Sequence, residues 1–242
     1  MNKRTFILIP SRIGSTRLPK KPLINISGIS LIERVYTNVN SLKLDTYVAT
    51  DSNEIFKHVL KFTKNVVMTN PKHISGTDRV FEAATKLNIN DDDLVINLQG
   101  DEPFMPHDLI SRLIDDFKNK DCDVISASHP IYNDEDISNK NCEKVIINTR
   151  GYAKTFERNL SKELDDSVMR HIGIYGYTYK TLSKIINLEP TPNELEHKLE
   201  QLRFLDNNLS IYMSQYKGEV PPGIDTKDDV VKAEEYLKYN DC

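Results

Sequence analysis

The chain has 242 residues, 28% of them charged and 38% hydrophobic, with a formal net charge of −4 at pH 7. This composition excludes a collagenous or disordered chain, and its mild negative balance excludes a globally basic nucleic-acid binder; a local basic patch for a compact polyanion remains possible. Cys122, Cys142 and Cys242 are scattered without CxxC spacing, which argues against a disulfide framework or a zinc site and for reduced thiols. The first apolar run is about four residues, too short for a signal peptide, and no stretch approaches the ~20 residues of a membrane span. A cytoplasmic protein with no membrane and no nucleic-acid partner is expected.

Residues 6–9 (FILI) read as a buried strand, followed by strands at 47–49, 66–68 and 93–98. Between and after them, residues 30–41, 53–62, 77–87 and 107–118 carry apolar residues at helical spacing, such as Leu31, Val35 and Val39. This alternation predicts an α/β fold with a mainly parallel sheet sandwiched by helices. Beyond residue 120 the pattern turns to strands at 124–129, 145–148, 152–156 and 172–179, a small antiparallel extension. A helix over 194–205, a strand over 211–214 and a helix over 227–237 complete the chain. With no linker or repeat, one domain over 1–242 is the simplest division.

Parallel sheets bind ligands beyond the carboxyl ends of their strands. The loop after the first strand reads Pro10-Ser11-Arg12-Ile13-Gly14-Ser15-Thr16-Arg17-Leu18-Pro19-Lys20-Lys21. Pro10 is expected to end the ladder. Arg12, Arg17 and Lys21 can converge on anionic oxygens, with Ser15 and backbone amides as donors. Neither a Walker A loop nor a dinucleotide fingerprint is present. A solvated basic loop is the plain alternative.

Asp101, in Gln99-Gly100-Asp101-Glu102-Pro103, follows the fourth strand, where it can share a hard cation with phosphates or simply cap a helix. Asp225, in Gly223-Ile224-Asp225-Thr226, is the second candidate carboxylate; Thr226 and Asp229 read as a capping pair for the last helix. Ser75-Gly76-Thr77-Asp78-Arg79 opens a helix whose amides can bind an anion, with Thr77 as its expected cap. Arg170-His171-Ile172-Gly173-Ile174-Tyr175-Gly176-Tyr177 alternates at strand period, and Glu200, Gln201 and Arg203 on a helix could read hydroxyls or a carboxylate. No Ser–His–Asp or Cys–His arrangement supports a hydrolase.

In this order the motifs resemble the CMP-Kdo synthetases, the 3-deoxy-manno-octulosonate cytidylyltransferases. Matching stretches are Ile9–Leu23, Val48–Asp51, Ser75–Arg79, Asn97–Pro103, Arg170–Tyr177, Leu199–Arg203 and Gly223–Asp229. The resemblance implies a nucleotidyltransferase fold, Rossmann-like and GT-A-like, and a homodimer in which residues 121–190 form the sugar-binding and dimerisation extension. It implies transfer from CTP to Kdo, giving CMP-Kdo and pyrophosphate for lipopolysaccharide biosynthesis, with Mg²⁺. By the match, Arg12, Ser15, Arg17 and Lys21 would hold the triphosphate, and Ser75, Gly76 and Arg79 would lie near the nucleotide. Asp101 and Asp225 would hold Mg²⁺, and the catalytic set is Arg12, Lys21, Asp101 and Asp225. Gln99, Arg158, His171, Tyr175, Glu200 and Gln201 would line the sugar-acid pocket.

Three positions depart from the family pattern: Ser11 stands for Ala, Lys20 for Gly, and Glu157 for Ser beside Arg158. Lys20 adds charge near the phosphates. Glu157, next to a carboxylated sugar, must point away or meet a cation. It motivates the alternative of another sugar acid, an 8-amino-Kdo or a nonulosonic (sialic) acid; a non-catalytic nucleotide-binding module is the third reading.

Overall fold

The computed structural model describes residues 3–15, 17–132, 137–139, 142–160 and 163–240. Cys242, Thr16 and Ser161 lie outside them. The chain divides into two compact units, Met1–His107 with Glu219–Cys242, and Asp108–Gly218. The second contains the whole 121–190 stretch.

The first unit is built on four parallel strands, β1 (Thr5–Ser11), β4 (Asp45–Thr50), β5 (Val66–Met68) and β6 (Leu94–Leu98), in the order β6-β1-β4-β5. Ile7, Leu8, Ile9, Val95 and Ile96 are fully buried, as expected of strands covered on both faces. The covering helices are α1 (Leu31–Asn40), α2 (Asn53–Val59) and α3 (Gly76–Lys86). Ser30 and Ser52 cap the first two by accepting from the amides of Glu33 and Ile55. A short hairpin, β2 (Asn25–Ile26) with β3 (Ile29–Ser30), was not visible in the sequence pattern, because two-residue strands carry no periodicity. It turns through Ser27 and Gly28, both at positive φ.

Two local expectations change here. Pro10 does not end the ladder: it lies within β1, opposite Ala49, and pairing continues to Ser11 and Thr50. The cap of α3 is Ser75 rather than Thr77. Its side chain accepts from the Asp78 amide while Asp78 accepts from the Ser75 amide, a full capping box.

The second unit opens with α4 (His107–Asn119) and holds β7 (Val124–Pro130), β8 (Lys144–Ile147), β9 (Ala153–Glu157), β10 (Val168–Thr178) and β11 (Ile211–Gln215). The order is β11-β7-β10-β8-β9, antiparallel throughout except for the parallel β11–β7 pair. Tyr179–Ile185 forms α5, a helix the sequence pattern did not single out.

The single helix expected over 194–205 is two helices, α6 (Pro192–His197) and α7 (Glu200–Asp206). A Thr191–Glu194 capping box starts α6, and Lys198, left-handed at φ 55°, ends it before the next begins after Leu199, without a side-chain cap. Arg203 then clamps the joint, donating to Glu194 at 2.9 Å and Glu200 at 3.3 Å. The final helix, α8 (Lys227–Asn240), returns to the first unit, capped reciprocally by Thr226 and Asp229 as the sequence suggests.

Candidate functional site

The carboxyl ends of β1 and β6, the N-terminus of α3 and the segment before α8 enclose a cavity of about 630 Å³ in the first unit. Its lining includes Arg12, Ser15, Arg17, Lys21, Ser75, Gly76, Arg79, Asp101 and Asp225, so residues more than 200 positions apart converge. Close backbone approach makes this possible. A Cβ on Gly100 would lie 2.8 Å from the Pro10 carbonyl oxygen, so only glycine lets the β6 loop pass beside β1. The Ile224 amide donates to the Asp101 carbonyl at 2.8 Å and brings Asp225 alongside Asp101.

The centre of the cavity is an ionic knot. The Lys21 ammonium donates to Asp101 at 2.5 Å and to Asp225 at 2.9 Å, and Arg17 meets the other Asp225 oxygen at 3.0 Å. The Lys21 side chain is only 16% exposed. Burial alone would lower its pKa; Asp101 first and Asp225 second outweigh that and hold the ammonium above the ordinary lysine range. Lys21 opens a single 3-10 turn, Lys21–Leu23, entered through left-handed Lys20. That turn aims its side chain into the cavity.

Other members of the set are engaged differently. Ser75 spends its hydroxyl on Asp78, so its offer to a ligand is the amide end of α3. Arg79 is buried and tied to Asp51 at 2.7 Å and Thr69 at 2.6 Å. It thereby pins two sequence motifs, Val48–Asp51 and Ser75–Arg79, into one wall. Lys20 turns away to Glu54, at 2.8 and 3.0 Å, and is absent from the cavity lining. Gln99 lies in this cavity with the nucleotide set.

His73, which sequence reasoning passed over, also lines the wall. It is held by Glu82, which binds Lys86 at 2.7 Å and accepts from the Asn70 amide at 2.7 Å. Burial pushes the Glu82 carboxyl up, but the Asn70 amide, Lys86 and His73 overcome it and bring the pKa down to about 2. The motif begins at Ser75, and His73 stands two residues before it, so spacing alone gave no signal.

The remaining candidates, Arg158, His171, Tyr175, Glu200 and Gln201, lie in the second unit, and three of them meet on Glu143. Its Oε1 accepts from Arg158 at 2.9 Å; its Oε2 accepts from His171 Nδ1 and Gln201 Nε2, both at 3.1 Å. The ring of Tyr175 lies 5.5 Å from that of His171, and burial first, then Glu143 and Glu200, raise its phenol well above the usual range. Glu200 is held by Arg203. Sequence reasoning missed Glu143: a Glu-Lys pair before an apolar run looks like any solvated strand end.

The register also places Glu157. It pairs with Lys144, which pairs in turn with Arg170, so its row across three strands contains two cations. Neighbouring residues on a strand face opposite ways, so Glu157 lies on the face opposite Arg158.

A model of the cytidylyltransferase family matches residues 6–211. The chain belongs to the cytidylyltransferase family. Within it, the chain is 40% identical over 238 residues to the 3-deoxy-manno-octulosonate cytidylyltransferase of Francisella tularensis subsp. holarctica, covering 93% of this chain and 95% of the relative. It is 37% identical to the enzyme of that name from Rickettsia typhi, over 99% of both chains.

A solved structure of CMP:2-keto-3-deoxy-manno-octonic acid synthetase complexed with CTP superimposes with a TM-score of 0.90 at 30% identity, covering 98% of this chain and 99% of that one. The 4-diphosphocytidyl-2C-methyl-D-erythritol synthase of Anaerococcus prevotii shares the fold at a TM-score of 0.65 and 13% identity, over 98% of this chain and 99% of that one. The fold is therefore that of the nucleotidyltransferases, and membership makes the chain a nucleotidyltransferase enzyme. Among the described residues, no helix is long and apolar enough to cross a membrane.

Proposed function

We propose that this cytidylyltransferase joins CTP to 3-deoxy-D-manno-octulosonate, releasing pyrophosphate and supplying CMP-Kdo for lipopolysaccharide assembly in the cytoplasm. The observation that carries this reading is the first unit's cavity: two arginines and a lysine on one loop, a helix N-terminus, and two carboxylates brought together by that lysine. A triphosphate needs the cations and the amides; a compact apolar ligand needs neither.

In the reaction the anomeric oxygen of the sugar acid bonds to the α-phosphorus, the bond from that phosphorus to the pyrophosphate oxygen breaks, and the hydroxyl proton is lost. Arg12, Arg17 and Lys21 bear on the phosphate charge, and the α3 amides orient the nucleotide. Asp101 and Asp225 suit Mg²⁺. A single ammonium reaches both, so their oxygens face one cation-sized position. Among the described residues no cluster of three or more His, Cys, Asp or Glu could hold a metal, and two carboxylates plus substrate phosphates are what this ion ordinarily takes. Bound there, Mg²⁺ would neutralise developing phosphoryl charge. Arg158 and Gln201 serve the sugar acid, and the active form is a homodimer.

The test is pyrophosphate release with CTP, Mg²⁺ and a panel of sugar acids, alongside the molar mass by light scattering. Turnover on Kdo at least tenfold better than on an amino-Kdo or a nonulosonic acid is expected. Release on none of them refutes the reading.

A further inference from the structure

Two donors assigned to the sugar acid, Arg158 and His171, lie in one row across three antiparallel strands, and the row is centred on a carboxylate. Lys144 pairs with Glu157 on β9 and with Arg170 on β10. One step along, the His171 amide donates to the Glu143 carbonyl at 2.8 Å, which extends the ladder to Glu143. The same step on the other side brings Arg158 level with Glu143. Residues level across a sheet share a face, which is why Arg158, Glu143 and His171 meet there. Gln201 reaches the same carboxylate from α7.

Within this group the exposures are unequal. The Arg158 and Glu143 side chains are 37% and 24% exposed, whereas that of His171 is 3% exposed and Gln201 is 4% exposed. Both His171 ring nitrogens are engaged, Nδ1 on Glu143 and Nε2 with Ser126 at 3.0 Å. An ionised carboxylate offers about four acceptor sites, and three are taken by Arg158, His171 and Gln201. Burial pushes the Glu143 carboxyl up, but His171, Arg158 and Gln201 outweigh it and keep the group ionised.

We propose that Glu143 is a specificity-determining contact of the sugar site, its carboxylate accepting a hydrogen bond from a hydroxyl of the sugar acid, with His171 and Gln201 as positioning residues behind it. The inference rests on the reading of the chain as a transferase to a sugar acid. An acceptor-only anion suits the hydroxyl-bearing part of such a substrate. Like charge keeps the substrate's own carboxylate away from it, so Glu143 also selects which end of the sugar lies there.

The test compares wild type with Glu143→Gln and Glu143→Asp, measuring KM for Kdo and for CTP, together with Tm. Glu143→Gln keeps the shape but turns one acceptor into a donor. It should raise KM for Kdo about 10- to 100-fold, leave KM for CTP unchanged, lower Tm because the new amide meets a donor, and be partly rescued by Asp. A series of single-deoxy Kdo analogues adds a double-mutant cycle: one analogue should lose affinity on wild type and lose none further on Glu143→Gln. An unchanged KM for Kdo in Glu143→Gln overturns the inference alone, as does a rise in both KM values. Absence of turnover by the wild-type protein overturns the reading beneath it and the inference with it.

Discussion

The two units solve the problem of charge in opposite ways. In the first, a cation sits between two carboxylates, Lys21 between Asp101 and Asp225, in the cavity we propose for the triphosphate. In the second, an anion sits among donors, Glu143 among Arg158, His171 and Gln201, in the group we propose for the sugar acid. Each arrangement keeps a half-buried charge paired, as partial desolvation favours. The difference lies in where the partners come from. The first set comes from two loops at strand ends and the segment before the last helix, while the second is one row of strand residues plus a helix. The first site is therefore built mainly on loops, and the second on a strand ladder with one helix beside it.

The strongest way to break this contrast is to remove one carboxylate of the first pair. Asp101→Asn or Asp225→Asn should cut pyrophosphate release by about 10²- to 10³-fold at saturating CTP and Mg²⁺. Wild-type turnover in both variants would leave the pair with no more than an ion-pairing role. A paired substitution sharpens the contrast at a lower magnitude. Arg12→Ala should raise KM for CTP about tenfold and spare KM for the sugar acid, while Arg158→Ala should do the reverse; steady-state kinetics in both substrates reads the crossing directly.

The smallest effect concerns stability. The native Glu82 carboxyl titrates at about 2 against an ordinary 4.5. Its contribution is complete above pH 4.5 and disappears as pH falls toward 2, because only then does the native carboxyl take up its proton. Urea unfolding should show wild type losing about 2–3 kcal/mol over that interval relative to Glu82→Gln. Parallel curves for the two proteins would show that the Asn70, His73 and Lys86 contacts contribute nothing.

The loop-built site was legible in the sequence because its residues fall in short runs, most of them at strand ends where the parallel-sheet rule directs attention and Asp225 beside the cap of the last helix. Arg12, Lys21, Asp101 and Asp225 could each be named from position, although the bonding of Lys21 to both aspartates could not. The ladder-built site was half legible. Arg158 and His171 came from the family resemblance; Glu143 joins them only through strand register, which depends on the β8–β9 and β8–β10 pairings and has no local signature. The misread helix has a similar cause. Apolar spacing runs on through 194–205, and nothing in a lysine announces the left-handed turn that Lys198 makes. Pro10 stayed in its strand because proline lacks only the donor: its carbonyl and its fixed φ both suit extended backbone.

The first unit is interrupted: its last segment, from Glu219 onward, follows the whole of the second. During synthesis the basic loop and Asp101 leave the ribosome early, whereas Asp225 follows after another 111 residues, Asp108–Gly218, have been added. At about 5–20 residues per second, that interval lasts roughly 5–20 s. Through it Lys21 and Arg17 lack their distal partner and the cavity lacks one wall. A nascent or C-terminally clipped chain thus carries most of this cavity with its charge unbalanced, and the lining is complete only when the segment bearing Asp225 packs beside Asp101.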